Sequence, residues 1–339
     1  MTAVLAGLGA LLPPVTVGNS ELCGSLDTTA EWIVTRTGIR ERRKITPGMS
    51  VIDLAVEAGK RAMESANEQT VDAVVLATTS PDRLCPAGAP EVASRLGLGT
   101  VAAFDLTSAC SGFVYGLAVS TGLIDAGVAE KVLFIGAEAF TTMVNPADRN
   151  TAPLFGDGAG AVVLRRGDDG ELGAVGGFDL GTDGSRAGIL AIPAGGTRQR
   201  SMSDGLGFGE VRTEDWFLRM EGRALFVQAV ERMSRTALAA LERASWRIDD
   251  VDCFIAHQAN IRIVQTVASE LNIPQERVPV NIDRVGNTLA ASIPTLLSDV
   301  AASGRLEPGD RVLLAAFGAG LSWGATTLTW PDIPVRVTG

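Results

Sequence analysis

The sequence predicts an α/β fold built in layers and duplicated within one chain. Apolar, strand-like runs alternate with helix-like stretches along the whole length, the pattern of a layered α/β protein with largely parallel sheets. The second half also repeats the first. Val251-Asp252-Cys253-Phe254-Ile255-Ala256 echoes Val71-Asp72-Ala73-Val74-Val75-Leu76, and Arg311-Val312-Leu313-Leu314-Ala315 echoes Lys131-Val132-Leu133-Phe134-Ile135. Phe317-Gly318-Ala319-Gly320 echoes Phe155-Gly156-Asp157-Gly158. The echoes keep their order, so the chain divides into two halves, 1–170 and 171–339.

Each element follows from local pattern. The opening MTAVLAGLGALLPPV is apolar but has no basic leader, so it reads as a buried first strand over 3–8 rather than a signal peptide. Residues 27–44 begin as a helix with Asp27 or Thr28 as cap and end in Arg36, Arg40, Arg42, Arg43 and Lys44. So dense a basic cluster in an acidic chain is a candidate phosphate site, against the plainer reading of a solvated face. Ser50 and Asp53 have capping-box spacing and open a helix to about Ala66. Val71–Thr79 is a strand buried on both faces, followed by a short helix over 90–96 and a strand over 101–106. An Ala/Gly-rich helix then runs to about Ala126, and strands follow over 131–136 and 161–164. A long helix spans 222–244. Residues 194–215, rich in Gly, Ser and Arg, match nothing in the first half and read as an inserted loop.

The totals narrow the function. The chain has 339 residues and a net charge of -10, which argues against a general nucleic-acid binder. No apolar run is long enough for a membrane helix. The four Cys (Cys23, Cys85, Cys110, Cys253) lack metal-ligand spacing, which points to a reduced, cytoplasmic, metal-free protein.

Cys110 closes a strand and opens a helix within Ala103-Phe104-Asp105-Leu106-Thr107-Ser108-Ala109-Cys110-Ser111-Gly112-Phe113. A thiol at a helix N-terminus is favoured as thiolate, the nucleophile that attacks thioesters. The plain alternative is a small buried hydrophobe. The chain's single His, His257, follows the strand over 253–256 and so falls at a strand's carboxyl end, where α/β sheets place their ligands. Asn287, within Val285-Gly286-Asn287-Thr288, reads either as a neutral amide donor or as a helix cap.

With these residues in place, the chain resembles the β-ketoacyl-[acyl-carrier-protein] synthase III family of the thiolase superfamily. The resemblance runs nearly full length through TxxWIxxRTGIxxRR (Thr28 to Arg43), Ala109-Cys110-Ser111-Gly112-Phe113, the GDGAGA turn, HQAN, GNTxxxSIP and FGxGxxWG. It implies a thiolase-like five-layer αβαβα fold. It also implies acyl transfer from acyl-CoA to Cys110, then decarboxylative condensation with malonyl-acyl carrier protein to give a 3-oxoacyl-carrier protein, with no bound cofactor. His257 and Asn287 would donate to the thioester oxygen during decarboxylation, and the N–H groups of Cys110 and Ala319 would form an oxyanion hole. Thr28, Trp32, Arg36, Arg149 and Asn260 match positions that hold CoA and pantetheine. Arg262 matches a docking residue for an acidic carrier protein. A homodimer is implied as well, and neither membrane nor nucleic acid.

Two departures stand out. Ala319 replaces a common glycine, which keeps the N–H. Cys85 aligns with a bulky aromatic that closes the acyl pocket from the partner subunit, so a roomier pocket is expected. The helix dipole, rather than His257, is expected to activate Cys110. The alternative activity is acyl transfer to an alcohol without decarboxylation; retention of Asn287 favours condensation. A nucleophile-free partner subunit, a thiolase and a hydroxymethylglutaryl-CoA synthase fit the Cys, His and Asn set less well.

Overall fold

A computed structural model describes residues 2–201 and 211–334. Nine strands form one mixed sheet. They are β1 (Thr2–Leu11), β2 (Ala73–Ala77), β3 (Ala102–Leu106), β4 (Lys131–Glu138), β5 (Gly158–Gly167), β6 (Ala174–Thr182), β7 (Cys253–Ala256), β8 (Arg311–Gly318) and β9 (Ser322–Thr329). Their order across the sheet is β7-β8-β9-β6-β1-β5-β4-β2-β3. The main helices are α1 (Ala30–Thr37), α2 (Val51–Ser65), α3 (Ala89–Arg95), α4 (Gly112–Asp125), α5 (Gly222–Arg243), α6 (Ile261–Glu270) and α7 (Ser292–Ala302).

The sheet is two copies of one arrangement placed edge to edge. β1, β2, β4 and β5 correspond in order and direction to β6, β7, β8 and β9, and the copies join where β1 pairs with β6 through Ala3↔Val175 and Val4↔Ala174. The same aspartate pins each copy. Asp72 Oδ2 accepts the N–H groups of Glu130 and Lys131, each at 2.8 Å, and Asp252 Oδ2 accepts that of Arg311 at 2.9 Å. No strand of the second half corresponds to β3 among the described residues.

Period-two burial divides the side chains among three cores and so makes five layers. Val74 and Leu76 of β2 pack under α2, while Ala73, Val75 and Ala77 face the centre. Phe254 and Ala256 of β7 pack under α5 and α6, while Cys253 and Ile255 face the centre. In the central layer, α4 (Phe113, Val114, Leu117) and α7 (Ile293, Leu296, Leu297) are covered on both sides. This enclosure explains why both helices are rich in small and apolar residues, without the polar stripe of a surface helix.

Largely parallel pairing was expected, and the sheet is mixed instead. Only β2/β3, β2/β4 and β7/β8 are parallel. The link from β8 to β9 is residues 319–321, far too short for a crossover, so the chain must reverse. Its counterpart, β4 to β5, reverses likewise.

The basic cluster is also reassigned. Helix α1 is capped by Thr29, whose side chain accepts the Trp32 N–H at 3.1 Å, rather than by Asp27 or Thr28, and it stops at Gly38 in the left-handed region. Residues Glu41–Lys44 are a strand paired with Val15–Gly18. Within it Arg42 is fully buried and donates to Val17 O (2.9 Å), Asn19 Oδ1 (2.7 Å) and Pro153 O (2.9 Å), so it is not part of a phosphate site. Burial pulls its pKa down to about 10. Of the inserted loop, residues 202–210 lie outside the described residues. Arg219–Met220, just after the loop, pairs with Leu190–Ala191.

Replacing Arg42 with Met strands three buried acceptors. Arg42→Met is expected to lower stability by about 2–4 kcal/mol, read as a fall in the urea midpoint. An unchanged midpoint would contradict the structural role.

Candidate active site

The carboxyl ends of the central strands converge on Cys110. This residue sits in a single 3-10 turn, Ala109–Ser111, between β3 and α4. Ala109 has φ 43°, a left-handed backbone that costs a non-glycine residue about 1 kcal/mol. The turn recurs in the other half. Leu289–Ala291 precedes α7, and Leu289 has φ 45°. By this correspondence Ala290 is the twin of Cys110, and Asn287 is the twin of Thr107.

Crowding fixes the sulfur's position. A Cβ on Gly318 would lie 2.8 Å from both Cβ and N of Cys110, so only glycine fits at the end of β8. The N–H groups of Cys110 and of Ala319, the next residue, have no oxygen partner among the described residues.

His257 extends β7 by one residue, its N–H donating to Ala315 O at 2.8 Å. Its imidazole is buried, and neither ring nitrogen has a hydrogen-bond partner among the described residues. Burial holds it neutral, lowering its pKa to about 3. It therefore carries one donor and one acceptor nitrogen at neutral pH. Asn287 is tied in by its backbone, with its N–H donating to Leu154 O (2.8 Å) and its carbonyl accepting from Gly156 N (2.9 Å). Its side-chain Oδ1 accepts the Leu289 N–H at 3.0 Å. That bond settles which way the amide faces, and the Asn287 side chain acts to lower the Cys110 pKa.

Cys110 itself is buried, and desolvation pushes its pKa up to about 12, with the Glu138 charge adding to the rise. The hydrogen bonds from Asn287 and from its own N–H offset only part of this. Burial therefore opposes the expected activation by the helix dipole and favours the protonated thiol. Glu138, at the end of β4, is the second buried acid here. It accepts the Thr79 N–H at 3.1 Å on each oxygen and the Ser80 hydroxyl at 2.7 Å, and the Ala290 N–H also stabilises its charge. Desolvation still lifts its pKa to about 7.

A cavity of about 140 Å³ joins these groups and is lined by Cys110, His257 and Asn287 with apolar walls from Phe155, Leu225 and Phe317. It shares Leu154, Met220, Gly222, Phe226 and Asn260 with an outer mouth of about 790 Å³. That mouth holds the expected Trp32, Arg36, Arg149, Asn260 and Arg262. The Arg149 and Arg36 guanidinium carbons lie 5.0 and 5.9 Å from the Trp32 ring centre. Asn260 caps α6 through Arg262 N (2.9 Å) and donates to Arg36 O (3.0 Å), so it fastens the mouth together. Two expected residues stand apart. Thr28 does not line the mouth, and Cys85 is exposed on a loop away from this chain's own cavity.

Comparison with known proteins gives the same picture. Residues 104–184 match the family model for 3-oxoacyl-[acyl-carrier-protein] synthase III, and residues 241–330 match the model for its C-terminal part. The chain is 51% identical to a β-ketoacyl-[acyl-carrier-protein] synthase III of Streptomyces coelicolor, covering 98% of each. It superposes on the 3-oxoacyl-(acyl carrier protein) synthase III of Pseudomonas aeruginosa with TM-score 0.91 at 45% identity, over 98% of this chain and 100% of that one. It is also similar to the priming β-ketosynthase of the R1128 polyketide pathway, with TM-score 0.89 and 33% identity over 98% of this chain and 97% of that one.

The chain belongs to the 3-oxoacyl-[acyl-carrier-protein] synthase III family.

As a member of that family it is an acyltransferase, and its layers are the thiolase-like arrangement expected from the resemblance. Within this synthase III fold, sequence reasoning missed Glu138, Arg223 and Phe226. Glu138 left a signal, because it ends the otherwise apolar run VLFIGAE. Arg223 and Phe226 left only helix periodicity, and the tertiary path of α5 decides that they line the mouth.

The folded-state pKa of Glu138 lies above its ordinary 4.5, so its contribution to stability is complete below about pH 4.5 and is lost as pH rises through about 7. Glu138→Gln cannot ionise. Relative to wild type it should gain up to about 3 kcal/mol between pH 5 and pH 8 in urea denaturation. An equal difference at both pH values would contradict the assignment.

Proposed function

We propose that this chain loads an acyl group from acyl-CoA onto Cys110 and condenses it with malonyl-acyl carrier protein, releasing carbon dioxide and a 3-oxoacyl-carrier protein. The observation that carries this reading is the single cavity lined by Cys110, His257 and Asn287 at the inner end of an arginine-rich mouth.

In the first half-reaction the Cys110 sulfur attacks the thioester carbonyl. Among the side chains lining the inner cavity, neutral His257 is the one group able to take the thiol proton. The carbonyl oxygen becomes an oxyanion held by the N–H groups of Cys110 and Ala319. Collapse expels CoA thiolate, which regains the proton from His257. The histidine is thus neutral again before the malonyl group arrives, and it then serves as a donor.

In the second half-reaction malonyl carboxylate leaves as carbon dioxide. The electron pair moves onto the thioester oxygen, which receives hydrogen bonds from His257 and the Asn287 amide. The fixed Asn287 side chain supports this step, because a donor already aligned needs no reorganisation as charge develops. The carbanion attacks the acyl-Cys110 carbonyl, and the released thiolate takes up one proton.

At the mouth, Trp32 with Arg36 and Arg149 receives the CoA adenine and phosphates, and Asn260 lies along the pantetheine path. Arg262, stacked on Phe226 at 5.6 Å, meets an acidic carrier protein. The enzyme acts as a cytoplasmic homodimer, with 1–170 and 171–339 as its repeated halves. In that dimer Cys85 reaches the partner's acyl pocket and leaves it roomier than an aromatic would. No helix among the described residues is long and apolar enough to cross a membrane.

Intact-mass measurement after exposure to a mixed acyl-CoA panel should show one acyl group added, absent in Cys110→Ala. Asn287→Ala should acylate normally while losing about 10²-fold or more of its carbon dioxide release from malonyl-carrier protein. Normal condensation by Asn287→Ala, or acyl transfer to an alcohol without carbon dioxide, would overturn the reading.

A further inference from the structure

Three serines bridge the two halves beneath Cys110. Ser108 and Ser111 flank the nucleophile turn, and Ser322 opens β9. The Ser108 and Ser111 hydroxyl oxygens are 2.9 Å apart, and those of Ser111 and Ser322 are 2.7 Å apart. Ser322 Oγ lies 2.8 Å from the carbonyl oxygen of Ala319. Ser111 and Ser322 are buried, so these bonds are not exchanged with water. Ser111 Oγ also lies 2.8 Å from the Ser108 carbonyl oxygen of its own turn; with the hydroxyls donating in the order Ser108 to Ser111 to Ser322, the last proton falls on Ala319 O. In the opposite order that carbonyl has no hydroxyl donor.

We propose that Ser111 and Ser322 are positioning residues that set the orientation of Ala319 against Cys110, and so the spacing of the two N–H groups that face the reacting oxygen. The inference rests on the oxyanion-hole reading above. Cys110 and Ala319 belong to different halves of the fold, and nothing covalent sets their distance. Gly318 brings the two strands into contact, and the contact with Cys110 limits approach but not rotation. The hydroxyl chain supplies the missing constraint. It ties one turn's side chains to the other turn's carbonyl through hydrogen bonds that strengthen one another when aligned. Ser111 directly follows Cys110 and Ser322 lies three residues beyond Ala319, so the Ser111–Ser322 bond joins the two segments that carry the N–H groups.

A positioning role separates two reactions of the same thiol. Acylation builds an oxyanion and needs both N–H groups. Alkylation by iodoacetamide builds none and needs only the sulfur. Ser322→Ala and Ser111→Ala should each slow single-turnover acylation by acyl-CoA about 10- to 100-fold. Their iodoacetamide rate should stay within about twofold of wild type, and KM for acyl-CoA should be unchanged. Ser322→Thr, which keeps the hydroxyl, should recover most of the acylation rate.

Equal losses in acylation and alkylation would overturn the proposal, since they would mean that the sulfur itself had moved. So would unchanged acylation in both alanine variants, or failure of Ser322→Thr to recover. If one alanine variant does not fold, the other carries the comparison. A wild-type protein that takes no acyl group on Cys110 would instead refute the proposed function and is scored separately by intact mass.

Discussion

The contact between Gly318 and Cys110 is the constraint on which the rest of the site depends. Two copies of one layered unit meet across a central pair of helices, and their loops approach at the carboxyl ends of the strands. The approach is so close that a single methyl group at residue 318 would collide with the nucleophile's backbone. The other groups reach the same cavity from elements held by their own backbone bonds. His257 arrives from the end of β7 and Asn287 from the turn before α7. The buried guanidinium of Arg42 holds Pro153, beside the loop to which Asn287 is bonded.

Burial decides the protonation states. A thiol at a helix start has a modest electrostatic advantage as an anion, and full desolvation acts against it. The same desolvation removes charge from His257. Burial thus favours the neutral form of both groups. Glu138 is a further buried acid, and its hydrogen bonds tie the end of β4 to Thr79 and Ser80.

Much of this was legible in the sequence. The layered α/β class, the internal repeat, the capping box at Ser50 and Asp53, and the meeting of Cys110, His257 and Asn287 followed from pattern and motif order. What was not legible depends on three-dimensional enclosure. Arg42 reads the same as its neighbours in a basic run, and only its pairing with Val15–Gly18 sends it inward. The protonation of Cys110 depends on which walls close over it, and those walls come from distant segments such as Leu225 and Phe317. The direction of β8 and β9 is set by a three-residue link that allows only a reversal, against the helical alternation elsewhere.

The recurring turn has a consequence of its own. The same kinked loop occurs twice, with its left-handed residue at Ala109 and again at Leu289, yet only one copy bears a thiol and only the other bears an amide just before the kink. Each copy has kept its backbone and given up half of the chemistry. An ancestral pair of identical units would have presented the same side chain from both sides. The repeated scaffold therefore meets the cavity with two unlike faces, a thiol from one turn and an amide from the other.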